Sequence, residues 1–578
     1  MSMTLAAALV TACGNGPEPA AGAAGGGSDQ LSLRTAAIGN GEASGDTLAA
    51  SYLAGRIALD DGDLRSAAEN FGTALRFDQD NLELRRQVFT LRLGIGDYDA
   101  ALDLARELAE HDPAFGEARL LLAAEAVLAD DFAAADRQLG AIGERELASI
   151  AKPVLDAWVA FGAGDTAAAL ELAAGGGESA GFERIRRFHA ASMQALLGDI
   201  AAARRILEDL VEPEDRNPVR LVVTLAAVEM LAGDRAAAEA LLRRQLELEP
   251  GDIVLENALA TVADGNGPAL PIDGPATGMA DALASLAAAF DEQGAQAQAL
   301  VLARLASFLA PGEADTALLI ARINLRLENA AEAALVLDAV DPRSLYAWEA
   351  RLLEAQTLAA MEREDEAVAL LEAMAAERPE RIDALVSQGD TLRRQERYAE
   401  AERAYDRALQ RVPEITVGHW PLLYARGMTR ERTDRWPEAE ADLQAALELE
   451  PDQPLVLNYL GYSWVDQGMN LEEALLMLRR AVDLRPDDGY IVDSLGWAYY
   501  RLGRYDDAVR YLERAVELRP QDPVINDHLG DAYWRVGRYR EARFQWERAL
   551  TFEPEAEEVA QIERKLEHGL ESNEPSRG

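Results

Sequence analysis

The chain contains little cysteine, little lysine and few aromatic residues. Its 578 residues include one cysteine, Cys13, and aromatics make up 6%. A single cysteine cannot form an intramolecular disulfide, which excludes a disulfide-stapled scaffold. Lysine occurs only at Lys152 and Lys565, so arginine supplies nearly all the positive charge. No apolar run reaches the roughly 18–20 residues that a membrane-spanning helix needs.

The sequence also lacks the residue patterns of common catalytic and metal centres. Its histidines are too far apart to share a metal-ligand spacing, and one cysteine cannot build a zinc site; they are His111, His189, His419, His528 and His568. There is no nucleophile elbow, no phosphate-binding loop and no HExxH motif. We therefore predict no catalysis, no cofactor and no bound metal, and interpret the many carboxylates as a solvated outer face.

The residues that are abundant favour helices and carry negative charge. Alanine, leucine, glutamate and arginine dominate, and these are helix formers. With 56 basic and 101 acidic residues, the net charge is −45. Such a surface repels nucleic acid and anionic lipid head groups, so we expect no nucleic-acid partner. The charge fits simple solubility, or alternatively a basic partner.

A repeat of about 34 residues runs through the sequence. The segment Leu495–Tyr499 (LGWAY) recurs 34 residues later as Leu529–Tyr533 (LGDAY). An alanine marks the same phase in fourteen places, mostly at steps of 34: Ala67, Ala101, Ala135, Ala169, Ala203, Ala238, Ala299, Ala333, Ala367, Ala401, Ala439, Ala474, Ala508 and Ala542. A small residue often stands twelve positions before it and a proline twelve after it. This spacing predicts two short helices per unit, packed closely through small side chains and ended by proline.

The pattern resembles the tetratricopeptide-repeat (TPR) consensus. The matching residues in one unit are Leu495, Gly496, Tyr499, Ala508, Ala515 and Pro520, and in the next they are Leu529, Gly530, Tyr533, Ala542, Ala549 and Pro554. The resemblance covers roughly residues 48–556. It is close in the last three units and loose in the first six, where Phe89 replaces a small residue. It implies an all-α, right-handed superhelical solenoid of about 14 antiparallel helix pairs, possibly in two blocks.

The N-terminus is similar to a bacterial lipoprotein signal. Residues 1–12 are apolar and end in small residues, and Val10-Thr11-Ala12-Cys13 resembles a lipobox. The resemblance implies cleavage before Cys13, lipidation of its sulfur and, because Gly14 follows, sorting to the outer membrane. No Lys or Arg precedes Arg34, which departs from the pattern and suggests an upstream start or a degenerate signal. The alternative is a free cysteine in a flexible terminus.

A break in the register suggests a division of the repeats. The step from Ala238 to Ala299 is 61 residues, and the surplus lies at 253–279. Three interpretations are open: a boundary between two blocks, a boundary that also acts as a hinge, or a surface insertion. The predicted domains are a signal peptide (1–12), a lipidated cysteine and tether (13–47), an N-terminal TPR block (48–252), a capping helix and Gly/Pro linker (253–279), a C-terminal TPR block (280–556), and a capping helix with a disordered tail (557–578).

The resemblance also implies where a partner would bind. In TPR proteins the first helix of each pair lines a concave surface that holds peptides or extended segments. The positions that match this surface near the C-terminus are Tyr462, Tyr490, Asp493, Trp497, Tyr500, Arg501, Asp527, Asp531, Trp534 and Arg535. Aromatic residues and arginine often dominate binding energy, which favours a binding site here. The alternative is that these aromatics pack between repeats.

These observations predict a non-catalytic protein-interaction scaffold. The C-terminal block is similar to that of proteobacterial TPR lipoproteins, which implies an envelope adaptor anchored through Cys13, in the outer membrane and facing the periplasm. The alternative is a cytosolic TPR co-chaperone or regulatory adaptor.

Overall fold

The computed structural model describes residues 47–112, 115–143, 147–175, 180–212 and 214–570. The predicted signal peptide, the lipidation site Cys13 and the predicted disordered tail from residue 571 onward lie outside these ranges. Within them the chain forms thirty α-helices and one 3-10 turn at Val417–His419, with no strand. The predicted all-α class is confirmed.

The first thirteen helices precede the register break, and the rest follow it. They are α1 (Leu48–Asp60), α2 (Leu64–Phe77), α3 (Leu82–Gly94), α4 (Tyr98–His111), α5 (Gly116–Leu128), α6 (Phe132–Gly140), α7 (Leu147–Gly162), α8 (Thr166–Ala174), α9 (Ala180–Leu196), α10 (Ile200–Leu210), α11 (Val219–Leu231), α12 (Arg235–Leu248) and α13 (Ile253–Ala263). Those that follow are α14 (Pro275–Glu292), α15 (Gln296–Leu309), α16 (Ala314–Arg326), α17 (Ala330–Leu337), α18 (Ala347–Ala360), α19 (Glu364–Glu377), α20 (Asp383–Arg394), α21 (Tyr398–Arg411), α22 (Trp420–Glu431), α23 (Trp436–Leu449), α24 (Pro454–Gln467), α25 (Leu471–Leu484), α26 (Gly489–Arg501), α27 (Tyr505–Leu518), α28 (Pro523–Arg535), α29 (Tyr539–Leu550) and α30 (Ala556–His568).

Twenty-eight of these helices form fourteen consecutive pairs, and α13 and α30 stand single. All fourteen alanines that mark the repeat are fully buried. A methyl group at that position lets the two helix axes of a pair approach closely, as the spacing predicted. The number of helix pairs and the TPR-type pairing are therefore confirmed, whereas the handedness of a superhelix stays a prediction.

The turn inside every pair contains a residue in the left-handed conformation. In thirteen units it lies five residues before the marker alanine, whereas Gly468 lies six before Ala474 and Asn470 in the same turn is also left-handed. The fourteen residues that follow the first helices are Gly62, Gly96, Asp130, Gly164, Gly198, Gly233, Gly294, Glu328, Glu362, Glu396, Asp434, Gly468, Gly503 and Gly537. A left-handed residue after a helix lets the backbone N–H groups cap the last carbonyls and reverses the chain. Five of the fourteen are Asp or Glu, which accept this conformation at some cost.

Where one helix of a pair has a small residue, the facing position of the other helix carries a large side chain. A Cβ atom added at Gly389 would lie 2.3 Å from the ring of Tyr405, and one at Gly530 would lie 2.4 Å from Trp546. In the second pair the order is reversed, because the first helix carries the buried Phe89 and the second helix has Ala105 at the corresponding position. The large Phe89, which departs from the consensus, therefore faces the small Ala105. The combined volume of the two facing side chains is limited because the interior is closely packed.

The helices divide into two compact units, residues 1–370 and 371–578. The division falls inside α19, whereas the sequence suggested a division at 253–279. Within the first unit, α13 packs against α11 and α12. The loop after α13 reverses the chain, so that α14 contacts α5, α7 and α9 and α15 contacts α3 and α5. The register break therefore returns the chain onto its own earlier repeats, and the predicted block boundary at 253–279 stays a prediction.

Candidate binding surfaces

In the first unit, the inner positions of the first helices are covered by α14 and α15. Leu120 and Ala124 of α5 and Val154 and Trp158 of α7 occupy these positions, and all four are buried. They share one apolar cluster with residues of α14 and α15. The hydrophobic effect therefore holds these two helices against the inner face of the repeats before them.

The contact between α14 and α7 is very close at one point. A Cβ atom on Gly278 would lie 2.1 Å from the Trp158 ring, so only glycine allows the backbone of α14 to rest on that ring. The Trp158 indole donates a hydrogen bond of 3.1 Å to Nδ1 of the buried His189. Burial, with a further contribution from Arg220, lowers the pKa of His189 to about 3, so the imidazole is neutral at ordinary pH.

A buried charged group joins α11 to α14 and α16. The Arg220 guanidinium on α11 pairs with Asp281 of α14 and Asp315 of α16. Asp281 also lies 3.6 Å from Nε2 of His189. Burial raises the pKa of Asp281, and the charge of Arg220 opposes that shift. This buried ion pair fixes the position of α14 in the apolar groove, because any other position would leave a buried charge unpaired.

A second polar contact holds α15. Nε of the buried Arg304 donates 2.8 Å to the carbonyl oxygen of Gly94, at the end of α3. The Tyr98 hydroxyl donates 3.1 Å to the carbonyl oxygen of Arg304. Together these contacts fix both helices of the α14–α15 pair in the groove of the first unit.

In the second unit, two of the five aromatics predicted to bind a partner are packed inside the repeats. Trp497 and Tyr500 are 3% and 2% exposed. The Trp497 ring stacks on Tyr500 at a centroid distance of 4.7 Å and on His528 of the next repeat at 4.0 Å. The structure thus favours packing over ligand contact for these two residues.

Asp493 is also withdrawn from the surface. It is buried, and Oδ2 lies 3.0 Å from Nδ1 of His528. Burial alone would lower the pKa of His528, but the carboxylate of Asp493, followed by those of Asp527 and Asp531, outweighs burial and raises that pKa. The pair joins α26 to α28 through a charged hydrogen bond that burial strengthens.

The two predicted arginines reach back to the preceding repeat. Arg501 donates 3.1 Å to a carboxylate oxygen of Asp466 and 3.0 Å to its carbonyl. Arg535 donates 3.2 Å from Nε to the Tyr500 hydroxyl. Each contact spans 35 residues, so the repeat itself generates a ladder of hydrogen bonds between neighbouring first helices. Burial raises the pKa of Tyr500 to about 12.

The last predicted residues surround a side chain from α30. Nζ of Lys565 donates 2.6 Å to Asp527 and 2.9 Å to Asp531. Asp531 also accepts 3.0 Å from the Trp546 indole. Gly569 lies against Trp534, since a Cβ added to it would be 2.0 Å from that ring. Burial, then the neighbouring Asp531, raises the pKa of Asp527 to about 6 against the opposing charge of Lys565.

Only the outermost row of the predicted surface is open. Tyr490 is 51% exposed, with the Arg519 guanidinium 4.2 Å from its ring centroid. Leu455 and Val524 occupy the same position in α24 and α28 and are 37% and 39% exposed. Tyr462 is half-buried, and burial raises its pKa to about 12. The repeat spacing did not lead us to predict Leu455 as a binding residue, although it lies 35 residues before Tyr490.

We call Leu455, Tyr490 and Val524 the apolar row. It runs across the consecutive first helices α24, α26 and α28, and each of these helices contacts the next. Neighbouring packed helices are about 8–10 Å apart. Three large apolar side chains thus stand at nearly regular intervals along the edge of the inner face.

Two kinds of feature are absent from the described residues. Among them, no group of three or more His, Cys, Asp or Glu side chains is arranged to hold a metal ion. A search of the same residues for a helix long and apolar enough to cross a bilayer finds none.

Comparison with known proteins agrees with this helix pairing. A family model described as tetratricopeptide repeat matches residues 352–414, 424–489 and 494–557. A curated relative, the TPR repeat-containing protein PA4667 of Pseudomonas aeruginosa, is 32% identical over 162 residues. That match covers 28% of this chain and 27% of the relative, so the chain spans about a quarter of the relative's length.

Solved structures of low overall similarity were also found. The Cut9 and Hcn1 complex gives a TM-score of 0.38 at 16% identity, covering 85% of this chain and 96% of that chain. YrrB, described as a TPR protein with an unusual peptide-binding site, gives 0.25 at 20% identity, covering 30% and 86%. Proteins of this family generally act as scaffolds that bind proteins or peptides. The chain thus contains tetratricopeptide repeats in its C-terminal part, and the fourteen helix pairs have the same helix–turn–helix form.

Proposed function

We propose that the chain is a non-catalytic scaffold of the bacterial cell envelope, which binds an extended segment of a partner protein along the apolar row. The observation that carries the binding proposal is the exposure of Leu455, Tyr490 and Val524 at one register position of three consecutive repeats. A row of large apolar side chains left open to water gains free energy when a partner covers it.

The spacing of the row suggests the form of the partner. A polyproline II segment rises about 3.1 Å per residue and has three residues per turn, so every third side chain faces the same way about 9 Å further on. This interval is close to the distance between packed helices. We expect a segment with apolar side chains at every third position.

The test is in-cell crosslinking capture with three chains. A Leu455→Ser/Tyr490→Ser/Val524→Ser variant is compared with wild type and with a control, Leu476→Ser/Phe544→Ser. The control removes two apolar side chains that are more exposed than those of the apolar row and that lie on the second helices α25 and α29. We expect loss of specific partners only in the apolar-row variant. Equal capture by all three chains would refute binding at the row.

Membrane anchoring through lipidated Cys13 and a periplasm-facing location in the outer membrane are part of the same proposal. They are supported by the lipobox-like residues 10–13. Fractionation of wild type and Cys13→Ala tests them, with wild type expected in the outer membrane and the variant released from it. Recovery of both chains in the soluble cytosol would favour the alternative, a cytosolic co-chaperone or regulatory adaptor.

A further inference from the structure

Helix α28, the first helix of the last pair, holds an ammonium group between two of its carboxylates. Nζ of Lys565 is 2.6 Å from Asp527 and 2.9 Å from Asp531. These are two of the positions that the TPR resemblance assigned to ligand contact. The chain has 54 arginines (56 basic residues less two lysines), yet one of its two lysines is used here. The lysine ammonium is a compact point charge with three N–H donors that can reach both carboxylates.

The helix that supplies this lysine is lightly attached. Of the thirteen residues of α30, only Ile562 and Lys565 are buried. Leu566 and Leu570 add partly buried contacts, and Gly569 lies on Trp534. Such a small apolar contact makes α30 a region of low local stability relative to the repeats before it.

The site also has unused hydrogen-bonding capacity. Oδ1 of Asp527 is buried and has no hydrogen-bond partner. An ammonium group has three N–H donors. A lysine that approached from a different direction could use this oxygen as well, so Lys565 leaves the site partly unsatisfied.

We propose that Asp527 and Asp531 form an ammonium-binding site at the C-terminal end of the inner face, which Lys565 occupies in the free chain and which a lysine side chain of the bound partner segment takes over. The inference rests on the proposed function, because it adds a basic residue to the segment that covers the apolar row. Val524, the last residue of that row, lies one helical turn before Asp527.

Lys565 and a lysine of the partner compete for this site, and this competition determines whether a substitution strengthens or weakens partner binding. Lys565 is tethered, and a tethered group acts at an effective concentration of about millimolar. A small lysine probe therefore binds detectably only when Lys565 is removed, whereas a partner that also contacts the apolar row can displace Lys565 from the intact chain. Removing Lys565 should strengthen partner binding, and removing Asp527 should weaken it.

The direct test uses the full chain with Lys565→Ala and the probe Nα-acetyl-lysine methylamide. Nα-acetyl-norleucine methylamide is the matched neutral probe, and ionic strength is held constant. We expect the lysine probe to raise the melting temperature of the variant and to slow amide exchange in α28, while the norleucine probe does neither. Adding Asp527→Asn should weaken the response about tenfold or more. Equal responses to both probes, or a response that survives Asp527→Asn, would overturn the proposal.

Lys565→Ala could also detach α30 from the repeats, so a second variant controls for that effect. Lys565→Met keeps the apolar part of the side chain and removes only the ammonium. In the crosslinking experiment we expect it to capture the same partners as wild type in larger amount, and Asp527→Asn to capture less. If all three chains capture those partners equally, the ammonium site is refuted and the apolar row stands. If the probe binds as expected but no chain captures a partner, the proposed function fails while the ammonium site stands.

Discussion

The two units use the same repeat differently. In the first, the inner face is filled by the chain's own α14 and α15, and large side chains such as Trp158 are sealed beneath them. In the second, the corresponding face keeps Leu455, Tyr490 and Val524 exposed, and only its last helix is touched by a tethered side chain, Lys565. The difference shows that the chain itself supplies the helices that cover the inner face of its first unit, whereas the apolar row of the second unit is left exposed.

Breaking the charged contact that seats α14 should have the largest effect. Arg220→Met leaves the buried Asp281 without its counter-charge, and removing one partner of such a pair typically costs about 3–5 kcal/mol. We expect a loss of this size in urea unfolding, with faster amide exchange in α14. Arg343→Met is the control, since Arg343 pairs with Asp341 on the surface and should leave the unfolding curve unchanged.

A similar loss is expected in the second unit, but only at the inner aromatics. Trp497→Ala removes a buried ring that stacks on two others and should cost about 3–5 kcal/mol. Tyr490→Ala should change stability by less than about 1 kcal/mol, because its ring is half-exposed and contacts Arg519. If both substitutions destabilise the chain equally, the apolar row is structural and the comparison between the units fails.

A methyl group at the α14–α7 contact should have an intermediate effect. Gly278→Ala forces α14 away from Trp158, and overpacking of this kind costs about 1–3 kcal/mol. The expected sign is faster amide exchange in α14 with little change in α28. Gly140→Ala is the matched control, because Gly140 is helical and an added Cβ meets nothing within 4 Å. A similar loss from both would contradict the close contact.

The smallest effect should be a pH dependence confined to the second unit. The raised pKa of His528 means that its protonated form is stabilised by folding, so this contribution is fully present below the unfolded value of about 6.5. It is lost as the pH rises through the higher folded value. His528→Asn should remove that part of the pH dependence. In the first unit His189, whose pKa is lowered, should show no titration by NMR between pH 5 and 8.

The repeat and its phase could be predicted from the sequence because they rest on local rules. Small residues at fixed spacing, a left-handed turn residue and a proline act within one unit of 34 residues. All fourteen marker alanines are buried as that spacing required. The turns with Glu or Asp in place of glycine were harder to recognise, since those residues carry no turn signal of their own at that position.

The binding surface was only partly predictable. The TPR resemblance assigned a set of inner positions, but it could not show which of their side chains are exposed. Trp497 and Tyr500 are buried because His528 of the next repeat covers one and Arg535 bonds the other. Leu455 was not predicted, because an aliphatic side chain in an apolar helix looks like a core residue until its exposure is known.

The sequence by itself determined the secondary structure, the pairing of helices and the absence of common catalytic motifs, because these follow from interactions between residues close together in the chain. Only the tertiary structure decided what covers each inner face. The contacts of Gly278 with Trp158 and of Lys565 with Asp527 join residues 120 and 38 positions apart. Such contacts depend on the path that the chain takes after a loop, and a local sequence period carries no information about that path.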